Sequence, residues 1–165
     1  MLFRSEKVFL QNAIAVTSRA VAQKSSIPAL EGLLIHADQQ LTISGYNMQT
    51  GIRTNVFANV VEGGNIVLNA RLFGDIIRRM PDDMITFTAD EKMMVHVSCG
   101  DADFDILGLS AADYPDLPEV EDEYAVSMQQ KVLRSMIEEV AFAVSTNESR
   151  RSEEHTSELQ SLIRI

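Results

Sequence analysis

Three sets of residues in this 165-residue chain have types and spacings that could do chemistry. The first is a series of carboxylates running from Asp101, Asp103 and Asp105 to Asp113 and Asp116, the kind of group that binds a divalent cation. The second is His36, His96 and Cys99, residue types that ligate zinc. The third is a set of bases, Lys24, Arg71 and Arg78 with Arg19 beside them, suited to holding a polyanion.

Spacing decides among them. Read as a calcium loop from Asp101, the series puts Ile106 and Ala112 where an EF-hand needs Gly at the sixth position and Glu at the twelfth. Alternation of Asp103 and Asp105 with Phe104 and Ile106 describes a half-exposed strand instead. His36 and His96 each stand alone and the single cysteine gives no Cys/His zinc spacing, and a lone Cys99 excludes an internal disulfide and fits a reducing compartment. No Gly-rich phosphate loop, GxSxG elbow or ordered Ser/His/Asp set is present. The sequence therefore predicts no metal, no cofactor and no catalytic residue.

The bases depend on their distribution. Formal net charge is −10, yet residues 1–80 hold eight Lys/Arg against five Asp/Glu, and residues 81–165 hold six against nineteen. Six of the early bases (Lys7, Arg19, Lys24, Arg71, Arg78, Arg79) lie in or beside two predicted helices. An acidic body with a basic helical surface can bind DNA through that surface and repel it elsewhere.

The elements that would position these bases follow from periodicity. Val8 to Gln23 reads as an amphipathic helix with Phe9, Leu10, Ala13, Ile14, Thr17, Ala20 and Val21 on one face. Gln11, Asn12, Ala15, Ser18, Arg19 and Ala22 fall opposite, a side without acids. Ala70–Met80 is a second helix, apolar through Leu72, Phe73, Ile76, Ile77 and Met80, with Arg71, Gly74 and Arg78 opposite and Asp75 at their edge, placed to orient an arginine. Pro81 ends it. Strand-like runs occupy Leu30–Ala37, Leu41–Ser44, Gly51–Val61, Ile66–Leu68, Met84–Thr88, Met93–Ser98 and Asp103–Leu107. The layout is α+β, a duplicated strand, helix, three-strand unit, with both helices on one side of antiparallel sheets.

Ala111–Glu123 reads as an acidic, Pro-containing linker, after which the opening pattern returns. A shift of 123 residues places Phe3 on Val126, Phe9 on Val132, Leu10 on Leu133, Ile14 on Ile137 and Val21 on Val144. A tandem array is expected. Residues 1–117 form one complete domain on this reading, and 118–150 a linker with the opening of a second, incomplete one. Arg4, Glu6 and Lys7 interrupt any early apolar run, and no stretch approaches membrane-spanning length.

Ile27-Pro28-Ala29-Leu30, Ala70-Arg71-Leu72-Phe73 with Asp75-Ile76, and Ala112-Asp113-Tyr114-Pro115-Asp116-Leu117-Pro118 together resemble the bacterial β sliding clamp family, the processivity subunit of DNA polymerase III. The resemblance covers residues 1–150. It implies a DNA-clamp fold and three domains per chain. Two chains would join head to tail in a cytoplasmic homodimeric ring around double-stranded DNA, helices lining the hole. It also implies the polymerase and the clamp loader as partners, through a groove between second and third domains that this chain lacks. Lys24 falls where the family carries a basic residue. The strand holding Phe104 and Ile106 corresponds to the edge that meets the partner subunit. Residues 151–165 depart from the family. Arg151-Ser-Glu-Glu-His-Thr-Ser-Glu-Leu-Gln-Ser161 resembles a translated sequencing-adapter oligonucleotide and reads as a non-native tail.

Two other readings stay open. One is a metal-dependent nuclease or phosphotransferase using the Asp101–Asp116 carboxylates; the other is a protein-interaction module using the Phe104 edge without DNA contact.

Overall fold

The computed structural model describes residues 1–118 and 127–144. They belong to two units, Met1–Pro118 and a second that begins at Glu119. The acidic run Glu119 to Glu123 and the expected tail at 151–165 lie outside the described residues.

In the first unit, strand β1 (Leu2–Glu6) leads straight into helix α1 (Lys7–Thr17). Leu10, Ala13, Ile14 and Thr17 are buried at the i, i+3, i+4, i+7 positions of one helical stripe. The helix is shorter than its apolar period suggests. A 3-10 turn, Ser18–Ala20, closes it, and Val21 is extended. The amide of Ala22 donates to the carbonyl of Leu30 (3.0 Å), so the chain folds back where the helix was expected to continue to Gln23. Phe9, expected on the buried side, is 38% exposed and lies against Phe57 with ring centroids 5.4 Å apart.

Helix α2 (Ala70–Arg79) starts where the Asn69 side chain accepts the Leu72 amide (3.0 Å), filling one of the donors a helix start leaves free. It stops at Met80, which is extended because the following Pro81 disfavours helical backbone before it. Phe73, Ile76, Ile77 and Met80 are buried, whereas Leu72 is turned to solvent at 49% exposure.

The strands are β2 (Gly32–Ala37), β3 (Leu41–Tyr46), β4 (Gly51–Val56), β5 (Asn59–Glu62), β6 (Gly64–Asn69), β7 (Met84–Ala89), β8 (Met94–Cys99) and β9 (Ala102–Leu107). Two antiparallel sheets result, ordered β5-β1-β7-β8-β9 and β4-β3-β2-β6. The repeat is present but its strands are exchanged. β1 pairs with β7 and β6 pairs with β2, so each sheet takes its leading strand from the other half of the sequence. The expected single run Gly51–Val61 is likewise two strands in different sheets, broken at Phe57, whose carbonyl accepts the Ser5 hydroxyl (2.6 Å). A continuous hydrophobic core fills the space between sheets and helices. Phe3 stacks on Phe87 there (4.5 Å), and Phe73 meets Phe87 edge-on (6.1 Å).

Residues 108–118, of which 111–118 open the expected linker Ala111–Glu123, pack on the outside of the β6 sheet. Leu109 bridges to Val67, and Tyr114 is buried with Ala29, Leu30, Tyr46 and Val67 in a second cluster that Leu117 borders. Two of the short motifs that are far apart in sequence, Ile27–Leu30 and Ala112–Pro118, thus meet in one small core. Burial pushes the Tyr114 phenol up to about 12, and its hydroxyl makes a long hydrogen bond to the Ser44 carbonyl (3.4 Å).

In the second unit, α3 (Gln130–Val140) is followed by a 3-10 turn, Ala141–Ala143. These bounds are those of α1 and its turn moved by 123 residues.

Candidate nucleic-acid interface

Helices α1 and α2 pack side by side, and Gly74 sets their approach. A Cβ there would lie 3.3 Å from Ile14 Cγ2, so a larger residue would push the pair apart. Above this contact runs a shallow groove of about 260 Å³. Gln11, Ala15 and Ser18 of the first helix and its turn form one rim; Arg71, Asp75 and Arg78 form the other. Arg71 and Arg78 are two turns apart on one face, on the order of 10 Å at the usual helical rise. Gln11 and Ser18 have the same spacing opposite, so two guanidinium groups face neutral hydrogen-bonding side chains.

An adjoining hollow of about 560 Å³ is lined by Ser18, Gln23, Glu31, Asn69 and Arg71 among others. Arg71 borders both hollows. Lys24 follows Gln23 directly and is exposed, and Arg19 is exposed on the 3-10 turn; neither lines a hollow. The structure thus brings Arg71 and Arg78 together and leaves Lys24 and Arg19 on the flank.

The face is less purely basic than its sequence. Arg78 forms an ion pair with Asp75 three residues earlier. Glu31 stands in the second hollow, its carboxylate accepting the Ser25 amide (3.1 Å). Lys7 is withdrawn altogether. Its ammonium reaches Asp82 (2.7 Å) and the Met80 carbonyl (2.7 Å), tying the start of α1 to the end of α2. Sequence reasoning missed Glu31 and the Lys7 anchor, because both depend on chain reversals that periodicity does not reveal.

The other candidate sites separate. β9 is an edge strand, and Phe104 is 39% exposed on it. Ile106 must be corrected from interface candidate to core residue: it is 2% exposed and belongs to the main hydrophobic cluster. Of the residues on the Phe104 and Ile106 face of β9, Ala102 is half-buried, Phe104 is exposed and Ile106 is buried. Asp105 is turned outward and pairs with His96 Nδ1 (2.8 Å) on the neighbouring strand. Among the described residues no three His, Cys, Asp or Glu side chains converge as metal ligands would. Asp101, Asp103 and Asp105 lie on or beside the β8–β9 hairpin, and Asp113 and Asp116 in the outer strap. No helix among the described residues is long and apolar enough to cross a membrane.

Exchanged leading strands, two sheets and a helix pair sharing one exposed face define a DNA-clamp fold. The family model described as DNA polymerase III beta subunit, N-terminal domain, matches residues 1–118, and the chain belongs to that family. It is 32% identical over 154 residues to a beta sliding clamp of Halalkalibacterium halodurans, covering 87% of this chain and 40% of that protein. The Bacillus subtilis beta sliding clamp is 27% identical over 159 residues, 91% of this chain and 42% of that one. Among solved structures, the polymerase beta subunit of Streptococcus pyogenes superimposes with a TM-score of 0.83 at 30% identity, over 92% of this chain and 42% of that chain. A beta subunit from Eubacterium rectale gives 0.84 at 29% identity, over 90% and 41%. The chain spans about two fifths of the length of the curated relatives it matches.

Proposed function

We propose that residues 1–117 are the first domain of a sliding clamp, and that the groove between α1 and α2 faces duplex DNA. The observation that carries this reading is the pairing of Arg71 and Arg78 on one rim with neutral Gln11 and Ser18 on the other, all backed by core. A clamp has to hold DNA without reading it. Contacts to phosphates by long, solvated side chains position a duplex but carry no sequence information, and they allow sliding. Lys24 and Arg19 extend the same contact at its flank. Residues 118–150 open the second domain, as the repetition of α1 in α3 supports. Phe104 and the β9 edge meet the second subunit of a homodimeric ring by strand addition. The whole protein, without catalysis of its own, tethers DNA polymerase III in the cytoplasm and is placed on DNA by the clamp loader.

The test is duplex binding by the 165-residue chain, followed by NMR chemical shifts, which register even millimolar affinity. Replacing Arg71 and Arg78 with Ala is expected to reduce the dependence of log K on log salt by roughly two. A slope unchanged by that double replacement would remove the DNA-facing assignment. Shifts confined to the Phe104 edge would favour the interaction-module reading.

A further inference from the structure

The two arginines on the groove rim differ. Among the described residues Arg71 has no acidic partner, while Arg78 is paired in place with Asp75 of the same helix. Both members of that pair are open to solvent, with side-chain exposures of 65% for Arg78 and 40% for Asp75. Asp75 also lines the groove itself. An exposed pair three residues apart on a helix is weak enough for a phosphate to displace. When that happens the carboxylate stays on the rim, a few ångströms from the phosphate that replaced it, and repels it.

We propose that Asp75 is a resident counter-ion that Arg78 exchanges for a DNA phosphate, keeping each contact shallow enough for the duplex to move along the face. The proposal rests on the DNA-facing reading of the groove and assigns Asp75 a positioning role within it. Arg71, with no acidic partner among the described residues, supplies attraction. Arg78 supplies attraction that is already half spent, and when a phosphate leaves, the guanidinium returns to Asp75 at once, so no bare cation is exposed. The exchange also limits how many condensed cations the face releases, which is the quantity a salt titration reads.

The experiment compares duplex titrations of the 165-residue chain at several salt concentrations with those of Asp75→Asn, Asp75→Glu, Arg78→Ala and the Asp75→Asn/Arg78→Ala double variant. Thermal unfolding is recorded in parallel. Asp75→Asn keeps the side chain's shape and removes its charge. It is expected to tighten binding about two- to fivefold, from the size of a solvated charge pair, and to steepen the log–log salt slope by about 0.9. Asp75→Glu should return the original slope, and the double variant should bind no better than Arg78→Ala alone. If Asp75→Asn gains as much without Arg78 as with it, the acid acts by bulk charge and the exchange is overturned. An inert Asp75→Asn beside a weakened Arg78→Ala overturns the counter-ion role and leaves the DNA reading standing. Absence of any duplex-induced shift in the unsubstituted chain overturns both.

Discussion

Helices α1 and α3 are the same element written twice, Lys7–Thr17 and Gln130–Val140, each closed by a three-residue 3-10 turn. Their surroundings differ completely. α1 buries Leu10, Ala13, Ile14 and Thr17 against strands β3 and β4 and helix α2. In α3 no residue is buried, and the equivalent stripe leaves Leu133 44%, Met136 53% and Ile137 55% exposed. An apolar period specifies where a helix runs and which side wants cover. It does not supply the cover, and an 11-residue helix alone in water is marginal. Among the described residues, the buried stripe of the two is that of α1, held by the first unit's core.

The comparison breaks or sharpens under four measurements. The largest effect is expected from Phe87→Ala, which removes the ring that both Phe3 and Phe73 contact and should cost about 3–5 kcal/mol in urea unfolding. Ile137→Ala, the matching deletion on α3's stripe, should cost less than about 0.5 kcal/mol, as an exposed substitution does. A comparable cost at both sites would mean that α3 has a packing partner in solution. Hydrogen exchange makes the same point without mutation: amides of α1 should be protected to the level of global unfolding, while those of α3 exchange through local fraying.

Tyr114 tests whether the outer strap belongs to α1's cooperative unit. Burial penalises the phenolate and pushes its folded pKa up to about 12, from the ordinary 10.0. Between those values the unfolded chain binds fewer protons than the folded one, so stability is fully present below about pH 10 and falls as pH rises toward 12. The fall should be on the order of 2 kcal/mol for two pKa units. Tyr114→Phe should flatten it, read as urea midpoints against pH. Were the steepness the same in Tyr114→Phe, another group would own the alkaline transition. Asn69→Ala, which strips the Leu72 amide of its partner at the start of α2, should cost less than either Phe87→Ala or the Tyr114 transition, about 1 kcal/mol in thermal unfolding.

Much of this architecture was legible beforehand, for specific reasons. Phe73, Ile76 and Ile77 announce α2 through a 3.6-residue period, and Pro81 announces its end, since both signals are local. Arg71 and Arg78 were legible as neighbours because seven residues make two turns. Leu72 misled, because a helix resting on a sheet covers a narrower stripe than an apolar count suggests. Ile106 misled for the opposite reason: alternation shows that one side of an edge strand faces inward but not which side a partner could reach. That Asp75 would orient an arginine was anticipated from its place at the edge of the Arg71/Arg78 face; the structure shows the arginine to be Arg78. The Lys7 anchor to Asp82 was invisible, joining residues brought together only when both helices are seated.

Local spacing, then, determined by itself the two helices, the run of antiparallel strands, the repeat at 123 residues and the uneven placement of charge. The helices and strands are set within a few residues of chain, where hydrogen-bond geometry and side-chain direction leave few choices, and the repeat and the charge placement are properties of composition and order alone. Tertiary structure decided that the halves exchange β1 and β6, that the 108–118 strap closes a second core around Tyr114, and that Gly74 lets Ile14 close enough to set two arginines beside a neutral rim. Those outcomes hinge on which distant apolar faces find each other, and pairing energy between remote segments leaves no period in the sequence that encodes it.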